Sequence, residues 1–305
     1  MEICVYGTYG TPILMFPSAA ADFLEYERFH LIDSVQRLID AGTVKLYSIN
    51  SINSESWLND GMSGRDKAIR HQQYNAYITD EVVPFIHTTS GGPLPILTAG
   101  VSLGAFHAAN SLFRRPDLFD GTLAMSGVYD LHAYSKGYFD EDCYFNSPMD
   151  YLPNLSDESI LELLRSKQHI HIATGSGNYE DPSASIALGN VLGTKGIPHT
   201  VDVWTQDYTH DWPTWRAMLP VLIEQRVASS EKRAANSEQR TASSEQRVPL
   251  CTLSLVPNSL SLKLIKVNVF VFVKIEAEFI FAGGCMKDLT GFLEIVFEYK
   301  EVVSI

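Results

Sequence analysis

Short apolar runs alternate with longer amphipathic segments along the first 225 residues of the chain. The apolar runs predict strands at 1–6, 12–16, 44–49, 95–99, 122–125, 169–174 and 201–204. Several segments between them repeat apolar residues at helical spacing, at 31–39, 65–87, 105–113, 156–164 and 183–192. Strands that alternate with helices of this length predict an α/β fold, a mostly parallel sheet with helices on both faces. In such sheets the functional groups gather at the carboxyl ends of the strands.

The strand predicted at 95–99 runs directly into Gly100-Val101-Ser102-Leu103-Gly104, which a helix-forming segment follows. A G-x-S-x-G sequence between a strand and a helix predicts a nucleophile elbow, a sharp turn that lifts the serine hydroxyl above the sheet. Glycine suits both flanking positions because a Cβ there would collide with the neighbouring strand or helix. The alternative interpretation is an ordinary Gly-Ser turn. Ser102 is therefore the candidate nucleophile.

A serine hydroxyl is a weak nucleophile at neutral pH and needs a base within hydrogen-bonding distance. Of nine histidines, His210 lies in the loop between the last predicted strand and the last helix, where α/β-hydrolases carry their base. His107 lies on the elbow helix and is expected to point away from Ser102. His169 and His171 alternate along a strand, and no further His or Cys completes a metal site with them. We therefore predict His210 as the base and no metal ion.

The acid that orients the base is expected after the strand at 169–174. The following loop is Gly175-Ser176-Gly177-Asn178-Tyr179-Glu180-Asp181-Pro182, and Glu180 and Asp181 are its only carboxylates. One of them can fix the tautomer of His210 and stabilise the imidazolium that forms during catalysis. Asp181 precedes a proline and suits a helix cap, so we predict Glu180 as the acid and keep Asp181 as the alternative.

Two backbone amides are the candidate oxyanion donors. Leu103 follows the nucleophile at the start of a helix, where amides have no intrahelical acceptor. The second donor is expected after the strand at 12–16. Because Pro17 has no N–H, Ser18 supplies the first available amide, and Ala19 is the alternative.

The composition changes abruptly after residue 225. A Glu-x-Arg triplet recurs every seven residues, as Glu224-Gln225-Arg226, Glu231-Lys232-Arg233, Glu238-Gln239-Arg240 and Glu245-Gln246-Arg247. The repeat has no apolar seam that could drive a coiled coil. We predict a hydrolase domain at 1–225, a low-complexity linker at 226–248 and a tail of uncertain structure at 249–305. We expect this C-terminal part to be dispensable for the chemistry.

The net charge and the cysteine content indicate which binding partners and which cellular compartment are expected. The formal charge is −13, and residues 1–225 carry 13 Lys and Arg against 27 Asp and Glu. An acidic domain is a poor ligand for nucleic acid or for an anionic membrane. The four cysteines lie far apart without C-x-x-C spacing, which favours a reducing, cytoplasmic location over a disulfide framework.

Residues 5–225 resemble the "Putative esterase" branch of the α/β-hydrolases, which is similar to S-formylglutathione hydrolase, feruloyl esterases and mycolyltransferases. The resemblance is carried by Val5-Tyr6-Gly7, Phe16-Pro17-Ser18, the segment 100–108, Arg115-Pro116-Asp117-Leu118-Phe119 and His210-Asp211-Trp212-Pro213. It implies an α/β-hydrolase fold, Ser102 as nucleophile, His210 as base and an acid in the Glu180 loop. The tail from Arg226 has no counterpart in this resemblance.

These residues together predict a serine esterase that forms an acyl-enzyme on Ser102 and releases it to water. The substrate is expected to be a small-molecule ester, and no cofactor is expected. The same groups would serve an acyltransferase if a sugar hydroxyl replaced water. A non-catalytic binding module that keeps the fold is the alternative from another class. The sequence does not predict the natural ester or the oligomeric state.

Overall fold

The computed structural model describes residues 1–226. The predicted linker at 226–248, apart from its first residue, and the predicted tail at 249–305 lie outside the described residues.

Seven strands form one sheet, and six of them run parallel. The strands are β1 (Ile3–Tyr6), β2 (Thr11–Phe16), β3 (Val44–Ile49), β4 (Ile96–Val101), β5 (Phe119–Met125), β6 (His169–Thr174) and β7 (Thr200–Val203). Their order across the sheet is β1-β3-β2-β4-β5-β6-β7. The edge strand β1 pairs antiparallel with β3, and every other pair is parallel. The predicted α/β class, a mostly parallel sheet with helices on both faces, is confirmed.

The helices connect these strands and pack on both faces of the sheet. They are α1 (Glu25–Arg28), α2 (Leu31–Ser34), α3 (Gln36–Asp40), α4 (Gly64–Tyr77), α5 (Val83–Thr89), α6 (Leu103–Arg114), α7 (Glu141–Tyr144), α8 (Pro148–Tyr151), α9 (Glu158–Ser166) and α10 (Pro182–Thr194). A further helix, α11, covers residues 212–226. Short 3₁₀ turns lie at Asn53–Glu55 and Leu152–Asn154.

Two details of the strands and helices were not predicted from the sequence. The apolar runs at 1–6 and 12–16 form the two predicted strands, β1 and β2, but these do not pair with each other, because β3 lies between them and pairs with both. The helical segment predicted at 65–87 is observed as α4 and α5, joined by a π-helical segment, Ile78–Val82, just before Pro84. Proline cannot donate the backbone hydrogen bond of a helix, and a wider turn accommodates this loss.

Burial of the sheet on both faces explains why its central strands are almost wholly apolar. One face packs against α6 through residues such as Ala105, Ala109 and Leu112. The other face packs against α11, which contributes Trp215 and Met218. Strands buried on both sides appear in the sequence as short continuous apolar runs, which is the pattern that identified them. Within residues 1–226, no helix combines the length and the apolarity needed to cross a bilayer.

Candidate active site

Ser102 lies at the tip of β4 in a backbone conformation that is unfavourable for an L-residue. Its φ is 55° and its ψ is −125°, and its N–H donates to the carbonyl of Met125 at 2.9 Å. A Cβ on Gly100 would lie 2.3 Å from the Gly104 carbonyl carbon, and one on Gly104 would lie 2.1 Å from the Phe16 carbonyl oxygen. Only glycine allows these close approaches, so the turn holds Ser102 in a strained conformation at the carboxyl end of the sheet.

The imidazole of His210 contacts the Ser102 hydroxyl. Its Nε2 atom lies 3.0 Å from Ser102 Oγ. The His210 backbone N–H donates to the Asn178 carbonyl at 3.0 Å, which ties the His210 loop to the loop after β6. The Trp215 ring meets the imidazole edge-to-face, with 5.1 Å between the ring centroids. In this orientation the Nε2 atom of His210 faces the Ser102 hydroxyl, and the Nδ1 atom faces away from Ser102.

The carboxylate on that opposite side belongs to Glu180. His210 Nδ1 lies 3.3 Å from Glu180 Oε2, and the Glu180 side chain is only 1% exposed. Asp181 turns away and accepts hydrogen bonds from the Ser183 amide at 3.0 Å and from its hydroxyl at 2.5 Å, as the N-cap of α10. The structure therefore brings Ser102, His210 and Glu180 into one hydrogen-bonded series and leaves Asp181 out of it.

Glu180 has further partners that the sequence did not indicate. Ser126, directly after β5, donates to Glu180 Oε1 at 2.6 Å and accepts from the Trp215 indole N–H at 3.0 Å. The Thr174 hydroxyl donates to Oε2 at 3.2 Å. The available signal for Ser126 was its position, since the carboxyl ends of neighbouring parallel strands meet at one edge of the sheet. These donors hold the carboxylate in the rotamer that reaches His210.

The pKa of Glu180 reflects two opposing effects. Burial raises the pKa, but hydrogen bonds from His210 and Ser126 favour the carboxylate and bring the pKa below its ordinary value. A carboxyl whose folded-state pKa is depressed stabilises the fold fully above its unfolded-state pKa of about 4.3. This contribution is lost as the pH falls through the lower folded-state pKa.

Glu180→Gln is therefore expected to destabilise the protein more at pH 6 than at pH 3. The amide of the substituted side chain has no ionisable group, so its contribution to the free energy of unfolding does not change with pH. The stabilisation by the Glu180 carboxylate, in contrast, is present at pH 6 and reduced at pH 3. Thermal unfolding midpoints of both proteins between pH 3 and pH 6 measure the difference. An equal difference at every pH would contradict the depressed pKa of Glu180.

The two candidate oxyanion amides differ in their surroundings. Leu103 is the first residue of α6, so its N–H has no intrahelical acceptor. The Ser18 N–H donates to Glu25 Oε2 at 2.7 Å, and the Ser18 hydroxyl donates to Glu25 Oε1 at 2.6 Å. The Glu25 carboxylate thus satisfies the Ser18 amide inside the protein, which argues against Ser18 as an oxyanion donor. In residues 1–226 no acceptor takes the N–H of Ala19, the alternative donor.

The remaining histidines lie away from this series. His107 is buried on α6, and burial lowers its pKa to about 3. His169 and His171 stack on one face of β6, with 6.4 Å between their ring centroids. Within the described residues, no cluster of three or more His, Cys, Asp or Glu side chains is placed to hold a metal ion.

Comparison with known proteins shows which family and which folds this chain is similar to. The model of a family described as "Putative esterase" matches residues 55–224. A ferulic acid esterase is similar in structure, with 19% identity and a TM-score of 0.53, over 72% of this chain and 84% of that chain. An S-formylglutathione hydrolase from Agrobacterium tumefaciens has 12% identity and a TM-score of 0.52, over 73% and 88% of the two chains. At this identity the two structures show a shared fold. No curated protein sequence matches the chain.

Proposed function

The chain belongs to the "Putative esterase" family, and on that basis we propose that it is a serine carboxylic-ester hydrolase whose triad is Ser102, His210 and Glu180. The observation that carries the proposal is the hydrogen-bonded series at the carboxyl end of the sheet. Ser102 Oγ lies 3.0 Å from His210 Nε2, and His210 Nδ1 lies 3.3 Å from Glu180. Nucleophile, acid and base thus follow one another along the chain in the order found in α/β-hydrolases, on three separate loops.

Each group has one role in the proposed reaction. Ser102 Oγ attacks the ester carbonyl while His210 Nε2 takes its proton, and Glu180 stabilises the resulting imidazolium. The tetrahedral intermediate then collapses, and His210 returns the proton to the departing alcohol. Water, activated by the neutral imidazole, attacks the acyl-enzyme and releases the carboxylic acid. The reaction needs no cofactor.

The negative charge that develops on the carbonyl oxygen requires two donors. We assign these to the backbone amides of Leu103 and Ala19. Preorganised amides of this kind account for a large part of the rate enhancement in acyl transfer, typically about 10²- to 10³-fold in kcat for each donor. Ala19 takes the place of Ser18, the donor predicted from the sequence, because the Ser18 amide already donates to Glu25.

Hydrolysis of p-nitrophenyl esters from acetate to octanoate tests the proposal and maps the acyl preference. We expect saturable release of p-nitrophenol that a fluorophosphonate abolishes with one equivalent bound. Adding an alcohol or sugar acceptor measures how the acyl-enzyme partitions between hydrolysis and transfer. A protein that turns over none of these esters and binds no fluorophosphonate would contradict esterase activity.

The catalytic unit is proposed to end near residue 226. The Nη1 atom of Arg226 at the end of α11 donates to Thr11 Oγ1 at 2.7 Å, so a boundary directly after Arg226 keeps this contact. A chain that ends at Arg226 is expected to remain soluble and to retain kcat/KM within about twofold, because every residue assigned to the reaction precedes it. Comparison with the full chain on p-nitrophenyl acetate measures this. Insolubility or a large loss of kcat would contradict the domain boundary.

A further inference from the structure

The loop after β2, which carries Ala19, is fixed by residues that follow β3. Ala19 has a φ of 39°, in the left-handed region that an alanine rarely adopts. Its carbonyl accepts two hydrogen bonds, from Ser51 Oγ at 2.8 Å and from Asn53 Nδ2 at 2.6 Å. The Ser51 N–H also donates to the Ala21 carbonyl at 3.0 Å. Side chains and backbone after β3 thus hold the unusual conformation of Ala19 in place.

Asn53 is itself oriented from the elbow helix. It is fully buried, and its Oδ1 lies 3.0 Å from Nε2 of His107, which is 3% exposed and five residues beyond Ser102 on α6. Burial keeps this imidazole neutral. An amide oxygen only accepts, so Nε2 of His107 must carry the proton and donate it to Asn53 Oδ1. The amide NH₂ of Asn53 then faces the Ala19 carbonyl.

The imidazole of His107 cannot easily change its position. It stacks on Phe16, the last residue of β2, with 6.1 Å between ring centroids, and meets the rings of His71 and Tyr74 edge-to-face. β2 and β4 are neighbouring strands in the sheet, with Phe16 paired to Gly100. The series His107–Asn53–Ala19 therefore connects the helix that carries the nucleophile to the loop beside it.

We propose that Asn53 is a positioning residue that sets the direction of the Ala19 amide as the second oxyanion donor. Glu25 holds Ser18 on one side of this peptide, and Asn53 with Ser51 holds the Ala19 carbonyl on the other. The N–H of Ala19 lies between these two fixed groups, the Ser18 amide and the Ala19 carbonyl, and is therefore held in one orientation. The inference rests on the proposed esterase activity and adds a residue that lies outside the triad.

Asn53→Asp tests the role with little change in volume. The substitution replaces the donor to the Ala19 carbonyl with a second acceptor, so the carbonyl and the carboxylate repel each other. Ground-state binding does not use the oxyanion geometry, whereas the transition state does. On p-nitrophenyl acetate we expect kcat to fall about 10- to 100-fold with KM within about threefold. The affinity for an aryl trifluoromethyl ketone, which forms an oxyanion on Ser102, is expected to fall in proportion to kcat/KM.

Asn110→Asp is the matched control. Asn110 is also a buried asparagine, donates through Nδ2 to Asn146 at 3.1 Å and accepts from the Tyr151 hydroxyl at 3.1 Å. It lies on the elbow helix but has no contact with the loop at Ala19. We expect Asn110→Asp to lower the thermal midpoint and to leave kcat and the ketone affinity within about threefold of wild type. An equal loss of kcat in both variants would assign Asn53 a structural role only and overturn the proposal.

Ser51→Ala provides a second test if Asn53→Asp does not fold. It removes the other donor to Ala19 and leaves no buried charge, so we expect a loss of about 3- to 10-fold in kcat and in ketone affinity. A folded variant of either residue with wild-type kcat and ketone affinity overturns the proposal. Failure of the proposed function looks different, because the wild-type protein itself would then hydrolyse no ester and bind no ketone.

Discussion

Ser102→Ala is expected to lower kcat on p-nitrophenyl esters by about 10⁴-fold or more, with little change in KM. Removal of a triad nucleophile leaves only the oxyanion hole and substrate binding to accelerate attack by water. The Cβ atom stays in place, so the strained turn at φ 55° is preserved and the variant should fold. Steady-state kinetics on the purified variant measure the loss.

Ser111→Ala is the control for this substitution. Ser111 is half-buried on the same helix and donates to the His107 carbonyl at 2.7 Å. It lies nine residues beyond the nucleophile and contacts no group of the proposed triad. We expect Ser111→Ala to keep kcat within about twofold of wild type. A Ser102→Ala protein with full activity would remove Ser102 from the mechanism.

Glu180→Gln is expected to cost far more activity than Asp181→Asn. The neutral amide of the substituted side chain would present a donor or an uncharged acceptor to His210 Nδ1. The imidazole of His210 is then no longer next to a negatively charged carboxylate. Without that charge, nothing fixes its tautomer or stabilises its protonated form. The corresponding loss in the best-studied serine protease is about 10⁴ in kcat. An activated ester with a good leaving group depends less on the acid, and a loss of about 10²- to 10³-fold is expected here.

Asp181→Asn leaves the series intact and keeps a good N-cap at the start of α10. Asparagine caps helices about as well as aspartate, so stability should change little. Both variants retain Ser102 and His210, and the ratio of their kcat/KM values on one ester isolates the acid. The reverse ranking would place the acid at Asp181 and contradict the contact between His210 and Glu180.

The sequence predicted the fold well because strands buried on both faces leave a strong signal. The runs at 44–49 and 169–174 match β3 and β6 residue for residue. Strand pairing left no local signal, which is why the sequence did not indicate that β3 separates β1 from β2. The "Putative esterase" resemblance is confirmed by the family match over residues 55–224.

The candidate site was predictable where one loop carries one suitable side chain. Ser102 and His210 each stand in a segment whose position in the fold fixes the choice, and the structure brings the two side chains together. The competition between Ser18 and Ala19 depends on Glu25, whose side chain folds back across seven residues. Periodicity and motif spacing do not report such contacts.

The residues that orient a proposed catalytic group without contacting the substrate were the hardest to predict from the sequence. Asn53 reaches Ala19 across 34 positions of sequence, and Ser126 reaches Glu180 across 54. Asparagine is common in the turns that follow strands, so its presence at position 53 does not indicate a hydrogen bond to a distant loop. These pairs form only when the sheet places the ends of neighbouring strands side by side, so they follow from the fold rather than from any one segment.

Mass-spectrometric mapping of a fluorophosphonate adduct on the wild-type protein tests the central claim most directly. A serine activated by His210 and Glu180 should react with one equivalent of probe, and a p-nitrophenyl ester should compete with that reaction. We expect a single modified peptide with the phosphonyl group on Ser102, and much slower labelling of the Glu180→Gln protein. An unlabelled wild-type protein, or an adduct on a serine other than Ser102, would contradict the proposed triad.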